Sequence, residues 1–107
     1  MNFELNYKSR SDLIDKIEKT GLTRFQKDVL IYTLSIPEGE TRTYSDVARA
    51  IGHPNAFRAV GSALAKNPFA PDVPCHRVIR KDGGVGNYSG AGGVERKISL
   101  LKKEGAI

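Results

Sequence analysis

The sequence is poor in residues that cross-link or ligate. Among 107 residues there are one cysteine, two histidines, one methionine and no tryptophan. One cysteine excludes an internal disulfide, and one cysteine with two histidines argues against a conventional structural zinc site. No metal and no cofactor is expected. No apolar run approaches the roughly 20 residues that span a bilayer. The opening Met1-Asn2-Phe3-Glu4-Leu5 lacks the basic-then-apolar order of a secretory signal. A cytoplasmic chain without a membrane partner is the expectation from these absences. Internal repeats and low-complexity linkers are also missing, and the length supports a single core.

What is present is unevenly placed. Residues 1–40 carry six basic and seven acidic groups, whereas residues 41–107 carry eleven basic and five acidic ones. All of the net charge of +5 therefore comes from the second part. A polyanion-binding face requires such a bias. A lysine-rich solubilising surface would also produce it.

Capping and stop residues divide the chain into short helices. Ser11 opens a helical pattern that Gly21 stops. Thr23 caps a second helix, in which Phe25, Val29, Tyr32 and Ile36 recur at helical spacing before Pro37-Glu38-Gly39 ends it. Thr43, with Asp46 three residues on, forms a capping box for a third helix. Its apolar stripe is Tyr44, Val47, Ala48 and Ile51; on periodicity alone Tyr44 reads as a core residue. Gly52 closes this helix, His53-Pro54 turns the chain, and Asn55 caps a fourth helix running to about residue 66.

Two short helices across so tight a turn predict a helix-turn-helix, with the second as the candidate DNA reader. On that helix Phe57, Val60 and Leu64 form the apolar stripe. Arg58, Gly61, Ser62 and Ala65 lie roughly opposite, a nearly bare face with one arginine. Such a face suits close approach to a DNA backbone or, equally, helix–helix packing. Asn67-Pro68 stops the helix, residues 77–80 read as a short strand, and residues 83–90 as a glycine-rich loop. A last helix over residues 94–104 places Ile98, Leu101 and the stem of Lys102 along one side. The fold class expected is mainly α with a small β element. The main domain covers residues 23–107, preceded by a short helical segment over residues 1–22.

The only cysteine lies in Pro74-Cys75-His76-Arg77-Val78. A thiol followed by an imidazole, with a proline restricting the backbone before it, is a candidate activated nucleophile. An ordinary thiol is only a few per cent thiolate near neutral pH, so a base nearby matters. Neighbouring side chains usually diverge, and a direct Cys75–His76 hydrogen bond does not follow from adjacency.

This run resembles the active-site signature of the O6-alkylguanine-DNA alkyltransferases. The resemblance extends through Thr41-Arg42-Thr43-Tyr44, Arg58-Ala59-Val60-Gly61, Asn67-Pro68 and Gly86-Asn87-Tyr88-Ser89-Gly90. These pieces stand in the family's order and near its spacing, from about Thr23 onward. The resemblance implies a winged-helix-like domain that takes an alkyl group from damaged guanine in double-stranded DNA irreversibly onto Cys75. His76 would deprotonate Cys75 through a water while Glu104 orients the imidazole, a relay of the Cys-His-Glu type. Tyr44 would donate to guanine N3. Val78, Tyr88, Ser89 and Gly90 would line the base pocket, with the Cys75 and Val78 carbonyls accepting from the exocyclic amine.

By the same resemblance Arg58 would enter the stack as the base flips out. Thr43, Tyr44, Ala59, Gly61 and Ser62 would complete a minor-groove DNA contact made by a monomer. Asn67, Pro74 and Arg77 would support the site structurally. Family members usually carry a further N-terminal domain, which some 22 residues cannot form, so a short form is expected. Short relatives that bind lesions without repairing them typically replace the cysteine. A non-catalytic lesion sensor is therefore the alternative. A helix-turn-helix regulator would leave the cysteine run and the glycine-rich loop unexplained, and no oxyanion-hole pattern supports a cysteine hydrolase.

Overall fold

Two helices open the described chain, and the strands among the described residues are two-residue pieces. The structure is a computed structural model, described here over residues 10–69, 72–82, 84 and 92–107. Helix α1 is Arg10–Glu18, α2 Arg24–Thr33, α3 Tyr44–Ala50, α4 Phe57–Ala65 and α5 Gly93–Lys103. Strand β1 is Arg42–Thr43 and β2 is Val78–Ile79, with one 3-10 turn at Cys75–Arg77. The fold is mainly helical with a small sheet, as the sequence predicts.

The caps are legible in local chemistry. Thr23 and Gln26 form a reciprocal capping box on α2, and Thr43 and Asp46 form one on α3. Helix α3 ends in a Schellman motif: Gly52 has a φ of +86°, and the His53 amide donates to the Ala48 carbonyl at 2.9 Å. A side chain at Gly52 would strain that left-handed turn, so glycine there lets α4 follow at once. Helix α1 begins one residue before its expected cap, leaving Ser11 inside the first turn, and ends at Glu18.

Helix α4 departs from expectation. It starts at Phe57 with Ala56 at the N-cap and no side-chain cap, so Asn55 lies outside it. The buried face is Val60, Ala63 and Leu64, while Phe57 is 45% exposed. Phe57 therefore leaves the core stripe: it sits in the first turn, before the helix has reached the packed face of its neighbours. Helices α2, α3 and α4 pack on one another. Val29, Leu30, Val47, Val60 and Val73 are fully buried in the resulting cluster, which Cys75 and Val78 join from one side.

The strand expected over residues 77–80 is shorter, because Arg77 belongs to the 3-10 turn. It pairs in parallel with a strand the sequence did not announce, Arg42 against Val78 and Thr43 against Ile79. Helix α5 also turns differently from expectation. Lys97 and Leu101 are its fully buried residues, whereas Lys102 is exposed and Ile98 only partly covered. No helix among the described residues is long and apolar enough to cross a membrane.

Candidate active site

Two links fix the backbone around the cysteine. The 3-10 turn is tied by Cys75 N–H to the Val73 carbonyl at 2.8 Å and Arg77 N–H to the Pro74 carbonyl at 2.9 Å. Beneath it, the buried Asn67 amide donates to the Val73 carbonyl at 3.0 Å while its oxygen accepts from Phe69 N–H at 2.9 Å. A buried amide satisfied on both ends locks the turn that delivers Pro74 and Cys75. Pairing of β2 with β1 then sets the distance from Cys75 to Tyr44, the residue after β1.

His76 and Glu104 are brought together across 28 positions, with Nε2 2.9 Å from Oε2. An ionised carboxylate only accepts, so Nε2 carries the hydrogen and Nδ1 holds the lone pair of a neutral ring. Burial is the main influence on the imidazole and lowers its pKa, outweighing the opposing pull of Glu104. The ring is thus kept neutral at neutral pH, the state in which it can take a proton. A proton on it would be favoured by the carboxylate alongside.

Glu104 is fixed rather than frayed. It is the C-cap of α5, where Gly105, with a φ of +77°, sends the Ala106 amide back to the Leu101 carbonyl at 2.9 Å. A carboxylate at a helix C-terminus is opposed by the dipole. It persists because Arg77 grips both oxygens, Nε to Oε1 at 2.9 Å and Nη2 to Oε2 at 2.8 Å. The third Arg77 nitrogen donates to the Ile36 carbonyl beyond α2 at 2.7 Å. Burial pushes the Glu104 carboxyl pKa up, but Arg77 and His76 together leave it below the ordinary range. A cavity of about 290 Å³ lies beside this group, lined by Glu38, His76, Arg77, Leu100, Lys103 and Glu104.

Lys97 is the residue of this group that pattern reading missed. Its side chain is fully buried, donates to the Val78 carbonyl at 2.7 Å and lies 5.8 Å from the centre of the Tyr44 ring. Burial lowers its pKa to about 8, against the raising effect of charge at Cys75. Near neutral pH it is therefore an ammonium, which attracts an anion at Cys75. The available signal was its place four residues before Leu101, on the same helical face. Tyr44 is half-buried, and burial together with charge at Cys75 raises its phenol pKa, so the hydroxyl stays a donor.

The remaining predicted residues fall in two places. Arg58, Ala59 and Ser62 are exposed on α4, while Gly61 is partly buried under Tyr44, 3.9 Å from its ring edge at the point where a side chain would start. Thr43 closes β1 and caps α3. Val78 is buried in β2; its carbonyl takes the Lys97 bond, and the Cys75 carbonyl accepts from Val78 N–H. Tyr88, Ser89 and Gly90 lie outside the described residues. The second histidine, His53, packs edge-on against Phe25 at 5.4 Å, away from this group. No cluster of metal-ligating side chains occurs among the described residues.

Comparison with known proteins locates this arrangement. The family described as 6-O-methylguanine DNA methyltransferase, DNA binding domain, matches residues 24–106. The methylated-DNA–protein-cysteine methyltransferase of Methanosarcina acetivorans is 51% identical over 84 residues, 78% of this chain and 53% of its own length. Among solved structures, Mycobacterium tuberculosis OGT in complex with DNA superposes with a TM-score of 0.74 at 49% identity, covering 78% of this chain and 49% of that one. S. pombe Atl1 in complex with damaged DNA containing O6-carboxymethylguanine superposes with a TM-score of 0.70 at 31% identity, covering 80% of each chain. The chain spans about half the length of the curated relatives it matches.

Proposed function

The chain belongs to the 6-O-methylguanine DNA methyltransferase family through its DNA-binding domain, and we propose that it moves the alkyl group of an O6-alkylguanine in double-stranded DNA onto its own Cys75. One observation carries the reading. The residue after the cysteine is a buried, neutral imidazole bonded to a carboxylate that Arg77 holds in place.

The reaction uses these parts in sequence. The thiol proton passes through a water to His76 Nδ1, and Glu104 stabilises the imidazolium that forms. The Cys75 sulfur attacks the alkyl carbon; the C–S bond forms as the C–O6 bond breaks, and its electron pair goes to guanine. Tyr44 donates its hydroxyl proton to guanine N3 and is reprotonated at the expense of the imidazolium. The thiol proton thus ends on the base. Lys97 pins the Val78 carbonyl and faces the developing charges from below. The thioether product is stable, so each chain reacts once.

Access to the base requires flipping, at a cost of a few kcal/mol. Arg58, exposed on a face of small residues, fills the vacated space from the minor groove in this reading. By the family resemblance, Tyr88, Ser89 and Gly90 of the glycine-rich segment are assigned to the base pocket. The protein acts as a monomer. Likeness to Atl1, solved in complex with damaged DNA, supports lesion binding; the second reading is binding of this kind with no transfer. The two part at Cys75.

Intact-protein mass spectrometry after incubation with a duplex carrying one O6-methylguanine decides between them. Transfer gives a gain of one methyl group per chain, mapped to the Cys75 peptide, and none in Cys75→Ser, which keeps its lesion binding. Unchanged mass with tighter binding to the lesion duplex than to undamaged DNA would replace transfer by sensing.

A further inference from the structure

Phe57 is a large hydrophobic side chain left 45% exposed on the helix that carries Arg58. Neither the core nor the proposed chemistry uses it. Its ring holds the Arg58 guanidinium 5.9 Å from its centre. It also forms one wall of a cleft of about 400 Å³, whose other sides are Tyr44, Ser45, Arg80, Lys81 and Asp82. Arg80 and Asp82 pair with each other at 2.5 Å and largely cancel. Lys81 and Arg58 are left to give the rim its positive character. An apolar aromatic face under a cationic rim, opening on solvent, is the chemistry of a nucleotide platform: the ring takes a base and the cations take its phosphate.

We propose that Phe57 stacks on the nucleotide flanking the flipped guanine on the same strand, with Lys81 on its phosphate. Resting on the reading given above, the assignment of strand follows from the opposite wall, Tyr44, which there faces the flipped base. Flipping strips one stacking partner from each neighbour. Arg58 fills the gap itself, and in leaving the Phe57 ring it uncovers the face on which the flanking base can settle. The cost of exposing an apolar ring in the unbound protein is thereby recovered on DNA.

Two measurements test this, one independent of alkyl transfer. In a Cys75→Ser background, a 2-aminopurine is placed next to O6-methylguanine on the same strand, in separate duplexes for either side. Binding should quench it on one side, and Phe57→Ala should restore the fluorescence and weaken binding about 5- to 100-fold, while Phe57→Trp retains both. Quenching that is unaffected by Phe57→Ala on both sides would overturn the platform, whether or not transfer occurs. In the Cys75 protein, Phe57→Ala should slow transfer from duplex by a similar factor and leave reaction with free O6-benzylguanine unchanged. Equal slowing on both substrates would mean that Phe57 only shapes the fold.

Discussion

The two halves of this molecule are held together by different physics. The α3–α4 pair rests on short-range rules: a capping box at Thr43 and Asp46, a left-handed glycine at the turn, and an apolar face of Val47, Ala48, Val60 and Leu64. The half containing β2 and α5 rests on buried charge. There Lys97 is driven through the interior to a strand carbonyl, and Arg77 joins Glu104 to the end of α2. Every one of these links spans at least 19 positions in sequence. A packed apolar face tolerates small errors, since its energy varies smoothly with area. A buried ion does not, because a missing partner leaves the full desolvation cost. The molecule thus sets a tolerant scaffold in the α3–α4 pair and an exacting one around Cys75.

The sharpest way to break that contrast is at Glu104. Glu104→Gln should slow transfer about 100-fold or more on both duplex DNA and free O6-benzylguanine, because the imidazolium loses its anion. It should also destabilise the fold by about 2–4 kcal/mol, since Arg77 is left in a largely buried site without a counter-charge. Single-turnover kinetics and urea unfolding read the two effects, and a rate loss confined to duplex would remove Glu104 from the relay.

Arg58→Ala probes the other half. Transfer from duplex should fall about 10- to 100-fold while free O6-benzylguanine reacts at the parental rate and stability stays within about 0.5 kcal/mol. Equal losses on both substrates would end the base-flipping assignment.

Lys97→Met separates the halves by pH. The folded state holds Lys97 at a pKa of about 8, below the ordinary 10.5, so between those values the unfolded chain binds more protons. Stability of the parent should therefore rise with pH across that window, by up to roughly 3 kcal/mol relative to Lys97→Met. Below pH 8 both states are protonated and the difference is flat. Parallel pH curves for the two proteins would show that the lysine is not held in a desolvated site.

The smallest effect belongs to the local scaffold. Asp46→Ala, which breaks one capping box, should cost about 1 kcal/mol in chemical denaturation and leave the rate with free O6-benzylguanine unaltered. A large rate loss would mean that α3 is coupled to the relay more tightly than its packing indicates.

Legibility in the sequence follows the same division. Caps and stops were readable at Thr23, Thr43 and Gly52 because each acts within about four residues. Asn55 and Phe57 misled, since the turn after Pro54 consumed one more residue than the pattern implied and left Phe57 in an uncapped first turn, short of the face that Val60 and Leu64 bury. Strand β1, the partner of β2, escaped notice because a two-residue strand carries no period. Lys97 escaped because a lysine on an apolar stripe ordinarily snorkels to solvent. Only a carbonyl waiting at β2 turns it inward.

By itself, the sequence determined the helical class, the turn between α3 and α4, the concentration of positive charge after residue 40, and the identity of the thiol. These depend on neighbours along the chain or on composition. The meeting of His76 with Glu104 was implied only through the family resemblance, whereas tertiary structure alone decided that Arg77 grips the same carboxylate, that Lys97 is buried and that Phe57 is not. Those outcomes turn on which groups lose their water together. Desolvation is a property of the assembled interior, and no local pattern encodes it.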